Sequence, residues 1–513
     1  MKTKITLFVL VATLCSVQSA RILGIFPLPG RSHYILGSSL MRALAEHGHD
    51  VTVINPFGEK NPPNGKYRDI LLSEIVESFE NRKDEFNMFE IGDLGPFVNI
   101  PTIAYLMSDI GEMVLKEKTV QELIHSNEKF DLVIIEQFYN DAHKMLATHF
   151  GGIQIVFSSV GANFWVNSIV GNPSPLAYIP DVFLSYSSHM TFSERLVNTL
   201  CYLLNVAVHD LYLYPKHNSV GAKYIPNAPS IHDVNYNASL ILLNSHPSLN
   251  QPVPHVPNMI EIGGFHIKPP KKLPQDLQEF LDGAKDGVIY FSMGSNLRSA
   301  DLPLEKRNGI LKTFAKLKEK VLWKWEEDEL PGRPENVKLG KWLPQQDILA
   351  HPNVKLFITH GGLLSTTETV YFGIPVLAIP VYGDQKLNAQ TAVSNGFGLV
   401  LPYKELSERT LGEKLDELLN NPKYGDNAKS RSRIFHDRQV KPLDTALYWV
   451  DYVIRHKGAP HLRVAALDLP WYKYLLIDVI AFVAGLLLMG VYLVRLLLRK
   501  VCRRVSSKKL KKN

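Results

Sequence analysis

Trp342–Gln385 reads WLPQQDILAHPNVKLFITHGGLLSTTETVYFGIPVLAIPVYGDQ. Within it Val354–Thr359 is a short, nearly continuous apolar run, the pattern of a strand covered on both faces. It runs into His360-Gly361-Gly362, after which a helix opens near Ser365 and carries Glu368 in its first turn. Glycines let backbone approach a ligand closely, and a helix N-terminus offers free N–H groups with a partial positive charge. That combination suits a diphosphate, with His360 as a further donor and Glu368 as a double acceptor for ribose hydroxyls. The same residues also describe a plain strand-to-helix turn capped by Ser365, and local physics alone leaves both readings open.

Working outward, the same order of strand, loop and helix recurs. In the C-terminal half the further strand candidates are Gly287–Ser292, Val321–Trp325, Val337–Leu339 and Pro375–Pro380. In the N-terminal half, Arg21–Pro27 is a strand, Tyr34–His47 a helix closed by Gly48, and Asp50–Asn55 the next strand. That is a βαβ unit, which implies a parallel sheet. Asp131–Glu136, Ile153–Ser158 and Ser239–Asn244 continue the series. Between Val160 and Pro226 the pattern is irregular, aromatic and apolar, which predicts loops and helices forming a pocket or a membrane-facing surface. Phe265–Pro274 (FHIKPPKKLP) suspends all periodicity and reads as a linker. Two doubly wound α/β halves bind ligands at the carboxyl ends of their strands, in the crevice between them. Neither half opens with GxGxxG, which counts against a dinucleotide oxidoreductase.

The ends of the chain set its compartment. Met1–Ala20 has Lys2 and Lys4, an apolar run and then small and polar residues, the form of a secretory leader whose cut follows Ser19 or Ala20. Tyr474–Val494 carries one charge, Asp478, and is long enough to cross a bilayer as a helix. The net charge of +6 is a property of the tail. Residues 495–513 hold nine cations and no acid and the leader holds two more, which leaves −5 for residues 21–494. The bulk therefore has no electrostatic reason to bind nucleic acid, and the basic tail marks the cytosolic side of a single span. A composition of 45% apolar and 21% charged residues excludes disordered and collagenous classes. Of three cysteines only Cys201 lies between leader and span, so no internal disulfide and no cysteine-based zinc site is expected there. His47-Gly48-His49 reads as a solvated helix end rather than a metal site. Asn237-Ala238-Ser239 has the form of a glycosylation acceptor.

The stretch 342–385 as a whole resembles the signature of the UDP-glycosyltransferase family, the one containing the UDP-glucuronosyltransferases. The resemblance rests on Trp342 with Pro344-Gln345, Thr359-His360-Gly361-Gly362, Glu368, Gly373-Ile374-Pro375 and Asp384-Gln385. Leu363-Leu364-Ser365-Thr366-Thr367 looks most like the insect branch. The resemblance implies a GT-B fold of two Rossmann-like domains facing a cleft, plus one C-terminal transmembrane helix. Its parts would be the leader 1–20, an acceptor domain 21–264, a linker 265–285, a donor domain with a return segment 286–473, the span 474–494 and the tail 495–513.

It also implies roles. Trp342 would stack on uracil and Gln345 contact the nucleoside. Ser295, His360 and the backbone around Gly362 and Ser365 would hold the diphosphate, Glu368 the ribose, and Asp384 with Gln385 the sugar. Where vertebrate relatives commonly have Asn, this chain has Leu364, so one polar phosphate contact is lost or comes from backbone. His33, read as lying between strand Arg21–Pro27 and the helix, would be the general base. Its carboxylate partner would be Glu136, with Asp141 as the fallback should the loop be shifted.

The function so implied is inverting transfer of a hexose, favouring UDP-glucose over UDP-glucuronate, to small lipophilic acceptors. The UDP-sugar would be a co-substrate, with no metal or other cofactor. The protein would reside in the endoplasmic reticulum membrane as a single-pass type I chain with luminal domains, retained by Lys509 and Lys511, and compatible with a homo-oligomer. Two rivals remain on the same fold: a transferase dedicated to one lipid or protein acceptor, and a non-catalytic binding protein.

Overall fold

The computed structural model describes residues 19–63, 65–81, 89 and 94–510; most of the stretch read as a leader and the final three residues, Lys511 among them, lie outside these. The chain divides after Arg463. The larger unit holds two sheets in which every strand pairing is parallel.

The first sheet comprises β1 (Arg21–Ile25), β2 (Asp50–Asn55), β3 (Tyr67–Leu71), β4 (Leu132–Glu136), β5 (Ile153–Ser158), β6 (Leu240–Leu243) and β7 (Met259–Glu261), in the order 3-2-1-4-5-6-7. The second comprises β8 (Val288–Ser292), β9 (Lys320–Lys324), β10 (Val337–Gly340), β11 (Val354–Thr359), β12 (Val376–Ala378) and β13 (Gly398–Val400), in the order 10-9-8-11-12-13. The order reverses between β1 and β4 in one sheet and between β8 and β11 in the other. At such a reversal the connections leave on opposite faces and open a crevice at the strand ends.

The helices that matter here are α1 (Arg31–Glu46), α2 (Pro96–Lys116), α3 (Phe192–Val208), α4 (Leu363–Phe372), α5 (Gln385–Ser394) and α6 (Pro442–Arg455). The apolar face of α1 (Leu36, Leu40, Met41, Leu44) packs on Ile22, Val51, Leu132 and Ile155 of the first sheet. Ala446, Val450 and Val453 of α6 join that same core, so the return segment, read with the C-terminal half, packs on the N-terminal half. The stretch read as a linker is irregular only as far as Pro274. Gln275–Asp282 is already a helix, and its Leu277 and Leu281 lie in the core of the second sheet with Val288 and Leu322.

The interval Val160–Pro226 is more regular than its composition predicts. Thr191 and Glu194 form a capping box at the start of α3, and the helix continues through a π-turn at His209–Leu213 into a final segment, Tyr214–Tyr224. One face meets the aromatic core of Tyr139, Trp165 and Phe183 through Cys201 and its neighbours. The opposite stripe of Phe192, Leu196, Leu200 and Leu203 is exposed.

The smaller unit is dominated by α7 (Ile477–Leu510), whose Ile477–Arg503 part contains an 18-residue window of mean hydropathy 2.4. Leu476 stands at φ +55°, where a left-handed residue ends the preceding turn. The apolar helix therefore starts three residues later than Tyr474, and it carries the first basic residues of the tail as helix.

Candidate active site

His33 sits at the carboxyl end of β1. The helix there starts earlier than the sequence suggests, at Arg31, because Gly30 takes an extended N-cap conformation without any side-chain cap. His33 is thus in the first turn of α1 rather than ahead of it. Its Nδ1 lies 2.5 Å from Oε1 of Glu136, the last residue of β4. The reversal between β1 and β4 is what sets these two strand ends side by side. The Glu136 side chain is fully buried and its Oε2 has no hydrogen-bond partner among the described residues. Burial of His33 opposes the imidazolium, yet the charge and hydrogen bond of Glu136, with a smaller contribution from Asp384, outweigh it and raise the pKa above its ordinary value.

Asp141 does not compete for His33. It is buried, accepts from Lys144 Nζ at 2.7 Å and from Gln137 Nε2 at 2.8 Å, and has His217 Nδ1 at 3.7 Å. Burial pushes its pKa upward, but Lys144, His217 and His209 together hold it well below the usual carboxylate range. The loop between the two acids is braced. Asn140 Nδ2 donates to the Glu136 carbonyl at 2.9 Å, and Asn140 Oδ1 accepts from the Phe138 amide at 2.7 Å. Tyr139 is held at φ +58°, a costly conformation for a bulky residue, with its hydroxyl donating to Asn205. This turn places the Phe138 ring edge-on to His33 at 5.6 Å between centroids. Phe138 and Tyr139 escaped the sequence reading. The visible signal was the run of polar and aromatic residues directly after a buried strand.

In the second half, α4 opens at Leu363 with Gly362 as a bare N-cap. Ser365 is therefore the third helical residue and does not cap the helix, and Glu368 falls in its second turn. The amides of Leu363–Ser365 have no acceptor within the helix, as at any helix start. His360 is packed between Gly294 and Gly362, and a Cβ at either position would collide with its ring. Burial, with help from Lys324, lowers its pKa to about 4. At neutral pH it is an uncharged donor rather than a cation. Leu364 packs partly buried against the core of the first sheet.

Glu368 is not a free acceptor in this state. Gln345 Nε2 donates to its Oε2 at 2.6 Å and Gln346 Nε2 to its Oε1 at 2.8 Å, while Gln345 Nε2 also reaches Ser365 Oγ at 3.1 Å. Gln346, which sequence reasoning passed over, belongs to this clamp. Trp342, three residues before Gln345, is 67% exposed.

Asp384 precedes α5 and accepts from Asn388 Nδ2 at 2.8 Å; the same amide reaches the Gly361 carbonyl at 3.0 Å. Burial raises the Asp384 pKa, and the His33 charge works against that rise. Acid and imidazole thus face one another electrostatically from the two halves. Gln385 uses its Oε1 internally, accepting from the amides of Val381 and Tyr382 at 2.8 and 3.1 Å. Ser295 is exposed after β8, next to Asn296. Asn296 is hydrogen-bonded to the Tyr382 side chain and lies so near Gly30 that a Cβ there would stand 3.6 Å from its amide nitrogen. Asn237 is exposed immediately ahead of β6.

The arrangement pairs a histidine–carboxylate dyad on one sheet with a glycine-lined helix start on the other. A family model described as "UDP-glucoronosyl and UDP-glucosyl transferase" matches residues 25–512. The chain belongs to the UDP-glycosyltransferase family. Among its relatives, UDP-glycosyltransferase UGT5 of the insect Dactylopius coccus is 41% identical over 94% of this chain and 93% of its own. UDP-glucosyltransferase 2 of the same insect is 35% identical over the whole of both chains. The rat 2-hydroxyacylsphingosine 1-beta-galactosyltransferase is 32% identical over 96% of this chain and 90% of its own. Solved structures agree in fold. A UDP-glucosyltransferase from Polygonum tinctorium, 17% identical, superposes with a TM-score of 0.58 over 85% of this chain and 99% of its own. TcCGT1 in complex with UDP, also 17% identical, gives 0.57 over 86% and 100%. The two parallel sheets are thus the halves of a GT-B glycosyltransferase, and the protein is an enzyme of the insect branch of this family.

Proposed function

We propose that this UDP-glycosyltransferase moves glucose from UDP-glucose to hydroxyl groups of small lipophilic acceptors, with inversion at the anomeric carbon and His33 as general base. The observation that carries the reading is the His33–Glu136 contact at the switch point of one sheet, with Asp384 close enough across the cleft to influence the imidazole. With Nδ1–H held by Glu136, the second nitrogen, Nε2, takes the acceptor proton as the oxygen attacks. Glu136 offsets the imidazolium as it forms. General-base assistance of this kind contributes about 10²–10⁴-fold. Phe138 beside His33 supplies an apolar wall for the acceptor.

The leaving diphosphate is met by the first amides of α4, by Ser295 and by the neutral N–H of His360, donors aimed at developing charge without reorganisation. Uracil stacks on Trp342. The ribose hydroxyls take the places that the Gln345 and Gln346 amides hold on Glu368, while Asp384 and Gln385 address the sugar. No metal or other cofactor enters this scheme. Glucose is favoured because a relative matching the full length is named a UDP-glucosyltransferase.

A second reading, transfer to a single lipid acceptor, draws support from the relative named for 2-hydroxyacylsphingosine. Purified membrane protein assayed with UDP-glucose, UDP-glucuronate and UDP-galactose against phenols, aliphatic alcohols and ceramide separates the two. Turnover of varied phenols with UDP-glucose is expected. Turnover of ceramide alone establishes the second reading instead.

The apolar α7 serves as one anchor, with the catalytic halves in the lumen of the endoplasmic reticulum and the basic tail in the cytosol. Glycan on Asn237, removed by endoglycosidase H, checks that orientation; an unmodified Asn237 reachable by added protease in sealed microsomes contradicts it.

A further inference from the structure

Ala20 is built into the first domain although it belongs to the leader by composition. It is 3% exposed and packs with Ile22, Leu44 and Val51, whereas Ser19 beside it is exposed. Its carbonyl accepts from the Asp50 amide at 2.9 Å, which extends the β1–β2 ladder by one bond. Its nitrogen lies 3.3 Å from Nδ1 of His49, a ring with no exposed surface. Because Nδ1 accepts, the neutral ring carries its proton on Nε2, which stands 3.3 Å from Oδ1 of Asp451 on α6. Burial keeps His49 below its ordinary pKa, hence neutral at pH 7. His47 Nε2 reaches the other Asp451 oxygen at 3.1 Å, and Arg455 lies 3.9 Å from it. An amide N–H uses little of this electronegative site.

We infer that the leader is removed between Ser19 and Ala20, and that the α-ammonium so created docks on the His49–Asp451 pair, tying the start of β1 to the return helix α6. Hydrolysis breaks the Ser19 C–Ala20 N bond; water supplies the hydroxyl to the Ser19 carbonyl carbon and a proton to the nitrogen, which takes one more from solvent. Cleavage precedes folding, so residue pattern selects the bond: Val17 and Ser19 are the smaller pair at the two positions a leader-removing peptidase reads, where a cut after Ala20 sets Gln18 at the first. A start at Arg21 would place its ammonium on Asp131 Oδ2, 2.7 Å away, but would leave the Asp50 amide without its acceptor. The inference rests on the leader, not on the transferase chemistry.

The test uses full-length protein from insect-cell microsomes, reductively methylated while folded, then unfolded and cleaved after glutamate for mass spectrometry. The expected N-terminal peptide is Ala20–Glu46, with its α-amine methylated at least about tenfold more slowly than exposed lysines, as for a group that reacts only on local opening. Asp451→Asn should raise that rate towards the lysine value. A chain starting at Arg21 or Met1 overturns the cleavage assignment. A chain starting at Ala20 whose amine reacts as fast as exposed lysines overturns the docking.

Discussion

His33 Nδ1 and Glu136 Oε1 stand 2.5 Å apart, joining the first turn of α1 to the last residue of β4 across the point where the strand order reverses. The loop that follows Glu136 is fixed by Asn140 and by the strained Tyr139.

The two acids of that loop should separate in kind. Glu136→Gln keeps a hydrogen bond to His33 but cannot offset an imidazolium, so kcat should fall by at least about 10²-fold. Glu136→Asp should retain substantial activity. Asp141→Asn removes the buried counter-charge of Lys144, a type of change that costs about 3–5 kcal/mol. Its effect should appear in thermal or denaturant unfolding, with kcat per folded molecule nearly unchanged.

The raised His33 pKa sets a pH limb. The base form exists only above the folded pKa, so kcat/KM for aliphatic alcohols should fall as pH drops through a value above 6.5. In Glu136→Gln burial is left to dominate, and the midpoint should move to lower pH. Stability shifts in the opposite sense. The imidazolium–Glu136 pairing stabilises the fold fully below pH 6.5 and is lost as pH rises through the folded pKa. A midpoint that stays fixed in Glu136→Gln contradicts the pairing.

Donor-site variants should divide by UDP affinity. Glu368→Ala removes the proposed ribose acceptor and frees both Gln345 and Gln346, so UDP binding measured by calorimetry should weaken about tenfold or more. Asp384→Ala should leave UDP affinity largely intact while impairing use of the sugar. Gly294→Ala should displace the His360 ring and weaken UDP binding as well, since the new methyl has no space. Equal UDP affinities in all three variants would contradict the assignment.

Lys509 and Lys511 changed together to serine should let the protein advance to the cell surface, read by surface biotinylation. Residence unchanged in that variant places retention in another segment.

What was legible in the sequence follows burial. Asp50–Asn55, Ile153–Ser158 and Val354–Thr359 are central strands covered on both sides, and their aliphatic runs mark both ends. The strands that escaped, β3, β7 and β13, all lie at sheet edges. Edge strands are half solvated, and Tyr-Arg-Asp-Ile-Leu or a three-residue strand carries no periodic signal. Both helix starts were placed late for one reason. Gly30 and Gly362 cap by backbone conformation, with none of the Ser, Thr, Asp or Asn side chains that announce a start. The engagement of Glu368 by Gln345 and Gln346 joins residues more than twenty apart, which no local pattern records. Asp141 was different: Lys144 three residues on was a visible partner at helical spacing, and it takes the carboxylate that the alternative alignment needed free.

The central claim is that His33 deprotonates the acceptor, and His33→Ala tests it most directly when kcat/KM is measured for an aliphatic alcohol and an acidic phenol alongside UDP affinity. In the proposed scheme the base lies in the half opposite the nucleotide, so UDP affinity should be unchanged. Transfer to the alcohol should fall by about 10²–10⁴-fold. The phenol ionises without help and should lose markedly less. Equal losses for both acceptors would mean that His33 positions the hydroxyl without taking its proton, and full activity with the alcohol would remove it from the chemistry altogether.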